Sequence, residues 1–483
     1  MILENLEPKS VFKYFEEISN IPRGSKNEKA ISDYLVSFAK KHSLEFFQDK
    51  HLNVIIKKNA TKGYENSKGV ILQGHMDMVC EKNNDTSHNF LIDPIKPRII
   101  DDMIYATNTT LGADNGVAIA YALAILESND IPHPPLEVLI TTEEEVGMGG
   151  AMNLDPSLLS GKYLINIDSE EDGSLLVSCC GGVRTCITID SNNISLKDNY
   201  KGFSISISGL KGGHSGMDIT KQRGNSNKLM GRILSKLLVE GVDFFIKDIN
   251  GGSKMNAIPR ECSCNVFVEK MNINKLKDII TQFNIDFKNE LQSIDDNINV
   301  SIIENSLEGE SFDKETTNKI VNIISLIPNG VMSMSNFIDG LAESSTNLGI
   351  VETSSGKVLF ESAIRSSISS LKQDILNKHI VLSNSFDAKI DIDGDYPEWE
   401  FSKDSYLRNV FVDVFKDMFN KEPIITAIHA GLECGILKSK LPELDIISFG
   451  PDHFDVHSPN EHLSIPSTKR MWKYLLEVLK RLK

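Results

Sequence analysis

His75 and Asp77 stand two residues apart at the end of an apolar run, VILQGHMDMV (70–79). On a strand, side chains two apart face the same side, so the pair can share a site at the strand's end, where open α/β sheets place their ligands. The bland reading is a polar pair that satisfies itself in a turn. Other segments repeat the pattern. TLGADNGVA sets Asp114 between Gly112 and Gly116, just before a helix, where an Asp can also serve simply as an N-cap. LITTEEEVGMGG ends an apolar run in Glu143, Glu144 and Glu145, whose mutual repulsion a nearby cation would relieve, although a solvated turn would tolerate them too. LINIDSE ends in Asp168, and GPDHFDVHSPNEH offers His453, His457 and His462 after the run LDIISFG. Together these resemble a metal site at the carboxyl edge of one sheet. Carboxylates mixed with imidazoles suit Zn²⁺ or Mn²⁺ better than Ca²⁺ or an iron–sulfur cluster. There are too many carboxylates for one tetrahedral zinc. Two metals about 3.5–4 Å apart, sharing one bridging carboxylate, would use them all.

The elements that must position these residues are legible as periodicities. SVFKYFEEISNI and EKAISDYLVSFAKKH have helical spacing, with Ser10 and Asn27 expected as N-caps. NVIIKK, GVILQGHMDMV, PLEVLITTEEE and KYLINIDSE read as strands, and NGVAIAYALAILES as a buried helix between two of them. The texture changes after about Gly182. Two successive helix-plus-hairpin patterns follow, the second with a hairpin turn at Ser355-Gly356. The α/β texture returns near Asp391. The expected fold class is therefore an α/β domain, with a mostly parallel mixed sheet flanked by helices, split by an inserted α+β domain with two similar halves. The expected boundaries are 1–184 and 389–483 for the split domain and 185–388 for the insertion.

The 483-residue chain carries 67 acidic against 51 basic residues, a formal charge of −16, which disfavours nucleic acid or an anionic membrane as partner. No signal-peptide pattern and no membrane-length apolar run is present, so no membrane partner is expected. Seven cysteines, an odd number, suggest reduced thiols and a cytoplasmic location.

The motifs GHMDMV, LGADNGVA, TTEEEVGMGGA, INIDSEEDG, GGHSG, HAGLECG and VHSPNEH, in that order, resemble those of the aminoacyl-histidine dipeptidases. These form a branch of the co-catalytic di-zinc family that includes carboxypeptidase G, and the resemblance covers nearly the whole chain. It implies that the split domain is catalytic and the insertion a lid. Two divalent ions are implied, zinc first, with manganese or cobalt as alternatives. By the same resemblance the metal ligands are His75, Asp114 as bridge, Glu145, Asp168 and His457. Asp77 orients His75, and Glu144 is the general base, with Glu143 the competing register. His214, alone in a glycine-rich turn, becomes the oxyanion donor, and Arg365 and Asn256 become substrate contacts. A surface strand charge and a turn residue are their bland readings. A cis peptide between Asp114 and Asn115 is implied too. The activity implied is hydrolysis of dipeptides, including carnosine-like Xaa-His dipeptides, by water activated between two metals.

Ligands alone do not separate this from a tripeptidase, carboxypeptidase or deacylase of the same fold, and a non-catalytic binding protein is the reading from another class. A small peptide is the expected partner, and a monomer or homodimer the expected assembly. The expected second half of the lid, roughly 311–385, would let His214 serve its own chain.

Overall fold

Four apolar runs pair as parallel neighbours: β1 (Val70–His75), β2 (Leu136–Thr141), β3 (Tyr163–Asn166) and β4 (Asp445–Ser448), in the order β2-β1-β3-β4. Register sets His75 opposite Thr141, and Gln73 and Ser448 each opposite Asn166, so all four strands end at one edge. Strands buried on both faces need continuous apolar sequence, and β1, β2 and β3 are buried at every position. Further strands flank them in an eight-stranded sheet: Glu45–Gln48 and Val54–Lys58, both paired antiparallel, beyond β2, and Ser174–Cys179, antiparallel to β4, then Ile424–Ile428 on the other side. The result is the mixed α/β sheet that the sequence leads one to expect, parallel in its centre and not, as expected, through most of its pairings.

The computed structural model describes residues 2–307 and 309–483. Two compact units emerge. One comprises Met1–Ser178, Phe401–Ala427 and Leu432–Lys483, and the other comprises Cys179–Glu400 and Ile428–Gly431. The boundaries expected at 184/185 and 388/389 fall inside the strand Gly181–Asp190 and at the start of the strand Lys389–Tyr396.

In the first unit, helix α1 (Ala113–Glu127) is apolar on every face because every face is covered, from Val117 through Leu126. It packs on the helix Lys9–Ser19 and on β1. Tyr121 reaches helix α2 (Ile465–Arg481), its ring 5.3 Å from that of Trp472 and its hydroxyl donating to the Thr468 carbonyl at 2.6 Å. Burying each such side chain stabilises by about 1.5–3 kcal/mol. Ser10 and Asn27 are not the N-caps. The helices run Lys9–Ser19 and Lys29–Lys41, with Pro8 and Glu28 at the capping positions. Pro8, whose ring fixes φ, starts the first helix two residues early. A small antiparallel sheet of Pro97–Ile100, Met103–Ala106, His453–Phe454 and His462–Ser464 holds both ends of the segment that carries His457.

The second unit is built on one nine-stranded antiparallel sheet. Strands Tyr200–Ser208, Phe244–Gly251, Cys262–Glu269 and Asn299–Asn305, with helices Ser226–Val239 and Ile273–Glu290, make one βαββαβ half. Strands Gly181–Asp190, Ala342–Ser354, Lys357–Ser366 and Lys389–Tyr396, with helices Lys314–Leu326 and Ser369–Ser385, make another with the same strand order. The halves are nested rather than successive, since the first lies between the opening strand and the first helix of the second. The expected turn at Ser355-Gly356 is present, with both residues at positive φ, 51° and 73°, as a tight two-residue hairpin requires. Among the described residues no helix is long and apolar enough to cross a membrane, and no disulfide bond is formed.

Candidate metal centre

At the carboxyl edge of the parallel strands, β1 ends in His75 and the segment just beyond it carries Asp77, the turn after β2 delivers Glu144 and Glu145, and the turn after β3 delivers Asp168. Asp114 comes from the first turn of α1, where φ/ψ of −79°/108° takes it out of the helical ladder, and the Asp114–Asn115 peptide is cis. Its two oxygens face different imidazoles: Oδ1 lies 3.0 Å from His75 Nε2, and Oδ2 lies 3.2 Å from His457 Nε2. Each imidazole has a further carboxylate, Asp168 Oδ1 at 3.4 Å from His75 and Glu145 Oε2 at 3.0 Å from His457. Three groups thus bring ligand atoms within 4.8 Å of one another: His75–Asp114–Asp168, Asp114–Glu145–His457, and His75–Glu144–Glu145. Asp114 belongs to the first two. Glu143 joins none of these groups; its backbone N–H donates to Glu28 instead, at 3.2 Å.

Asp77 is fully buried and binds no second imidazole. Its carboxylate accepts the N–H groups of Glu144 (3.0 Å) and Glu145 (3.3 Å) and the Ser25 hydroxyl (2.8 Å), and Oδ1 lies 3.5 Å from His75 Nδ1. It therefore ties the end of β1 to the turn after β2.

The electrostatics are those of carboxylates crowded around too few cations. Burial opposes charge on His75, but Asp168, Asp114 and Asp77 outweigh it and hold its pKa well above the ordinary 6.5. Hydrogen bonds from its ring to the Asp114 and Glu145 carboxylates hold His457 up at about 11. Burial would raise Asp114, yet the two imidazoles pull it far below 3.8. Asp168 is pushed up to about 6 by burial and by Asp114 and Glu145, against the pull of His75. Burial, with Asp168, Glu433 and Glu145, raises Glu144 well above 4.5, although His75 opposes this. Glu145 Oε1 is buried with no hydrogen-bond partner among the described residues. An orphaned carboxylate oxygen beside imidazole and carboxylate donors is what a divalent cation would satisfy.

The second unit holds the other residues singled out in the sequence. His214 Nδ1 accepts the N–H groups of Met217 (3.1 Å) and Gly216 (3.3 Å), and burial with the Arg365 charge lowers its pKa. A neutral ring with Nδ1 accepting carries its proton on Nε2. Arg365 and Asn256 line one cavity of about 420 Å³, together with Tyr396 and Arg184. Arg365 Nη1 lies 3.2 Å from the Tyr396 hydroxyl, and its Nε is buried with no partner among the described residues. His429 accepts or donates through Nε2 to Ser345 Oγ at 2.7 Å.

Sequence reasoning singled out the segment HAGLECG (429–435) without a role for Glu433 or His429, and it missed Glu461, Arg23 and Tyr396. Glu461 lies within VHSPNEH and could have been found there; Arg23 and Tyr396 carry no local signal. The His453 ring nitrogens are buried with no hydrogen-bond partner among the described residues, and His462 stacks between Tyr105 and Phe454 at 4.6 and 5.0 Å, so neither joins the cluster.

The family described as Peptidase family M20/M25/M40 matches residues 71–481. The cytosol non-specific dipeptidase of Escherichia coli strain K12 is 37% identical over 480 residues, 99% of this chain and 99% of that protein. The crystal structure of aminoacylhistidine dipeptidase from Vibrio alginolyticus superposes with a TM-score of 0.95 at 37% identity, covering 99% of this chain and 97% of that one. An aminopeptidase from Bacillus cereus shares the fold at a TM-score of 0.57 and 15% identity, with 99% of each chain covered.

Proposed function

The chain belongs to peptidase family M20/M25/M40 and is a peptide hydrolase, and we propose that it cleaves dipeptides, Xaa-His among them, with two divalent metal ions. The observation that carries this is Asp114, whose two oxygens each face a different imidazole–carboxylate pair. His75, Asp168 and Asp114 would hold one ion, and Asp114, Glu145 and His457 the other. Zinc suits this donor set best, with manganese or cobalt as alternative occupants. Bound there, such ions would lower the pKa of a water and polarise a peptide carbonyl.

The remaining steps belong to the chain's own residues. Glu144 takes the proton from the attacking water on a carboxylate oxygen and returns it to the leaving amine. Burial raises this carboxyl above its ordinary range, which makes it a stronger proton acceptor than a solvated glutamate. His214 donates from Nε2 to the oxygen that becomes negative, a role that the accepting Nδ1 supports. The Arg365 guanidinium binds the substrate's terminal carboxylate beside Asn256, supported by its unpartnered Nε in the shared cavity. Asp77 orients His75 and the two glutamates.

Both full-length relatives are described as dipeptidases, one non-specific and one acting on aminoacyl-histidine. We place the chain in the cytoplasm, as for the E. coli cytosol relative, as a monomer or homodimer. The test is a panel of dipeptides, tripeptides and N-acyl amino acids, assayed with metal-stripped protein before and after addition of Zn²⁺, Mn²⁺ or Co²⁺. Metal-dependent cleavage of dipeptides, carnosine-like β-alanyl-histidine included, is the expected result. Preference for tripeptides or N-acyl substrates, or turnover indifferent to metal, would refute the reading.

A further inference from the structure

Glu461 lies four residues beyond His457, in the segment between the strands His453–Phe454 and His462–Ser464. Its side chain is buried, and its carboxylate turns toward backbone. Oε2 accepts the N–H groups of Leu111 (2.7 Å) and Gly112 (3.0 Å), while Oε1 accepts those of Ala113 (2.7 Å) and, at longer range, Asp114 (3.4 Å). These are the orphan donors ahead of and at the start of α1. The local capping position is Gly112, at φ 72°, which has no side chain to offer. A carboxylate from some 350 residues along the chain fills the place that a neighbouring Ser or Asp would ordinarily take.

Arg23 grips the same turn from the other side. Its guanidinium is buried, donates to the carbonyls of Met76 (3.0 Å) and Asp77 (3.2 Å) through Nη1, and donates to the Gly112 carbonyl through Nη2. A Cβ at Gly112 or Gly116 would lie 2.5 or 2.8 Å from Nη2, so both glycines make room for this side chain. The backbone of 111–114 is thus held to the end of β1 by Arg23 and to the His457 segment by Glu461. Asp114 stands outside the helical ladder, so α1 itself does not aim it.

We infer that Glu461 and Arg23 are positioning residues for the metal centre, fixing Asp114 between His75 and His457 before any ion arrives. A simple helix cap would stabilise α1 alone. This one joins three ligand-bearing segments, and its effect should therefore be read in metal affinity. The inference rests on the proposed two-metal reading.

The test is calorimetric titration of zinc into the metal-free full-length chain, for wild type, Glu461→Gln, Arg23→Lys and the control Glu137→Gln. Glu137 is also a buried carboxylate that accepts backbone N–H groups, from Ser160 (2.9 Å) and Gly161 (3.0 Å), but at the far end of β2. Glu461→Gln and Arg23→Lys should weaken zinc binding by roughly 10–100-fold, the usual effect of losing an outer partner of a metal site. Glu137→Gln should lower the melting temperature and leave zinc affinity unchanged. Tight wild-type binding that both clamp variants retain overturns the inference alone, whereas a wild type that binds no zinc overturns the two-metal reading beneath it. Should a clamp variant fail to fold, amide exchange in the metal-free wild type decides. Slow exchange at 111–114, unaltered by zinc, supports the clamp; fast exchange that only zinc slows overturns it.

Discussion

Glu433 is a carboxyl with almost no water around it. It is 1% exposed, and Oε2 accepts from Gln73 Nε2 at 2.6 Å and Thr141 Oγ1 at 2.7 Å, while Oε1 has no partner among the described residues. Burial pushes its pKa up to about 8, with Asp168 and Asp77 adding to the rise and His75 and the Thr141 hydrogen bond opposing it. The folded value lies above the ordinary 4.5, so the unfolded chain gives up this proton first. Its contribution to stability is then fully present below about pH 4.5 and is lost as pH rises to about 8. Glu433→Gln cannot ionise and should gain on the wild type across that window, with no further gain above it. Thermal midpoints of the metal-free proteins against pH measure this, and parallel curves would contradict it. His214 makes a sharper claim about a single atom. With Nδ1 occupied as an acceptor, Nε2 is the donor, and His214→Ala should lower kcat by roughly 10²–10³-fold, as for loss of one oxyanion donor. Both ions should stay bound in that variant, and an unchanged kcat would remove His214 from the chemistry.

Strand ends do the assembling at the next scale. β1, β2 and β3 run parallel, so the residues after each arrive at one edge, and Asp77 ties the end of β1 to the turn that carries both glutamates. Asp77→Asn leaves a similar shape but replaces one acceptor oxygen with a donor facing backbone N–H groups. It should weaken zinc binding by roughly 10–100-fold, measured by the same titration, and unchanged affinity would show that the turn holds itself. These strand ends were legible because burial on both faces forces continuous apolar sequence, and an acid or imidazole at the close of such a run stands out. Helix α1 was legible for the same reason. Asp114 was visible, but what aims it was not, since the partners of its turn lie at 23 and 461, beyond any local periodicity. The two halves of the second unit were visible as repeated patterns. Their nesting was not, because the pairing of Gly181–Asp190 with Lys357–Ser366 leaves no mark in either segment alone.

The site residues named in the sequence come from both compact units. The expectation that His214 serves its own chain has a direct consequence. Mixing His214→Ala with Glu144→Gln, after subunit exchange is verified, should leave the mixture inactive, since no chain then carries both groups. Recovered activity would mean that one subunit lends His214 to another. The proposed division of labour gives the proton to Glu144 and the metal to its neighbours, and metal content with dipeptide turnover, measured on the same sample of Glu144→Gln, puts it to the test. Two ions should be retained per chain, as in the wild type, with turnover down by roughly 10²–10⁴-fold, the usual contribution of a general base. Near-normal turnover, or loss of the ions along with the activity, would contradict it.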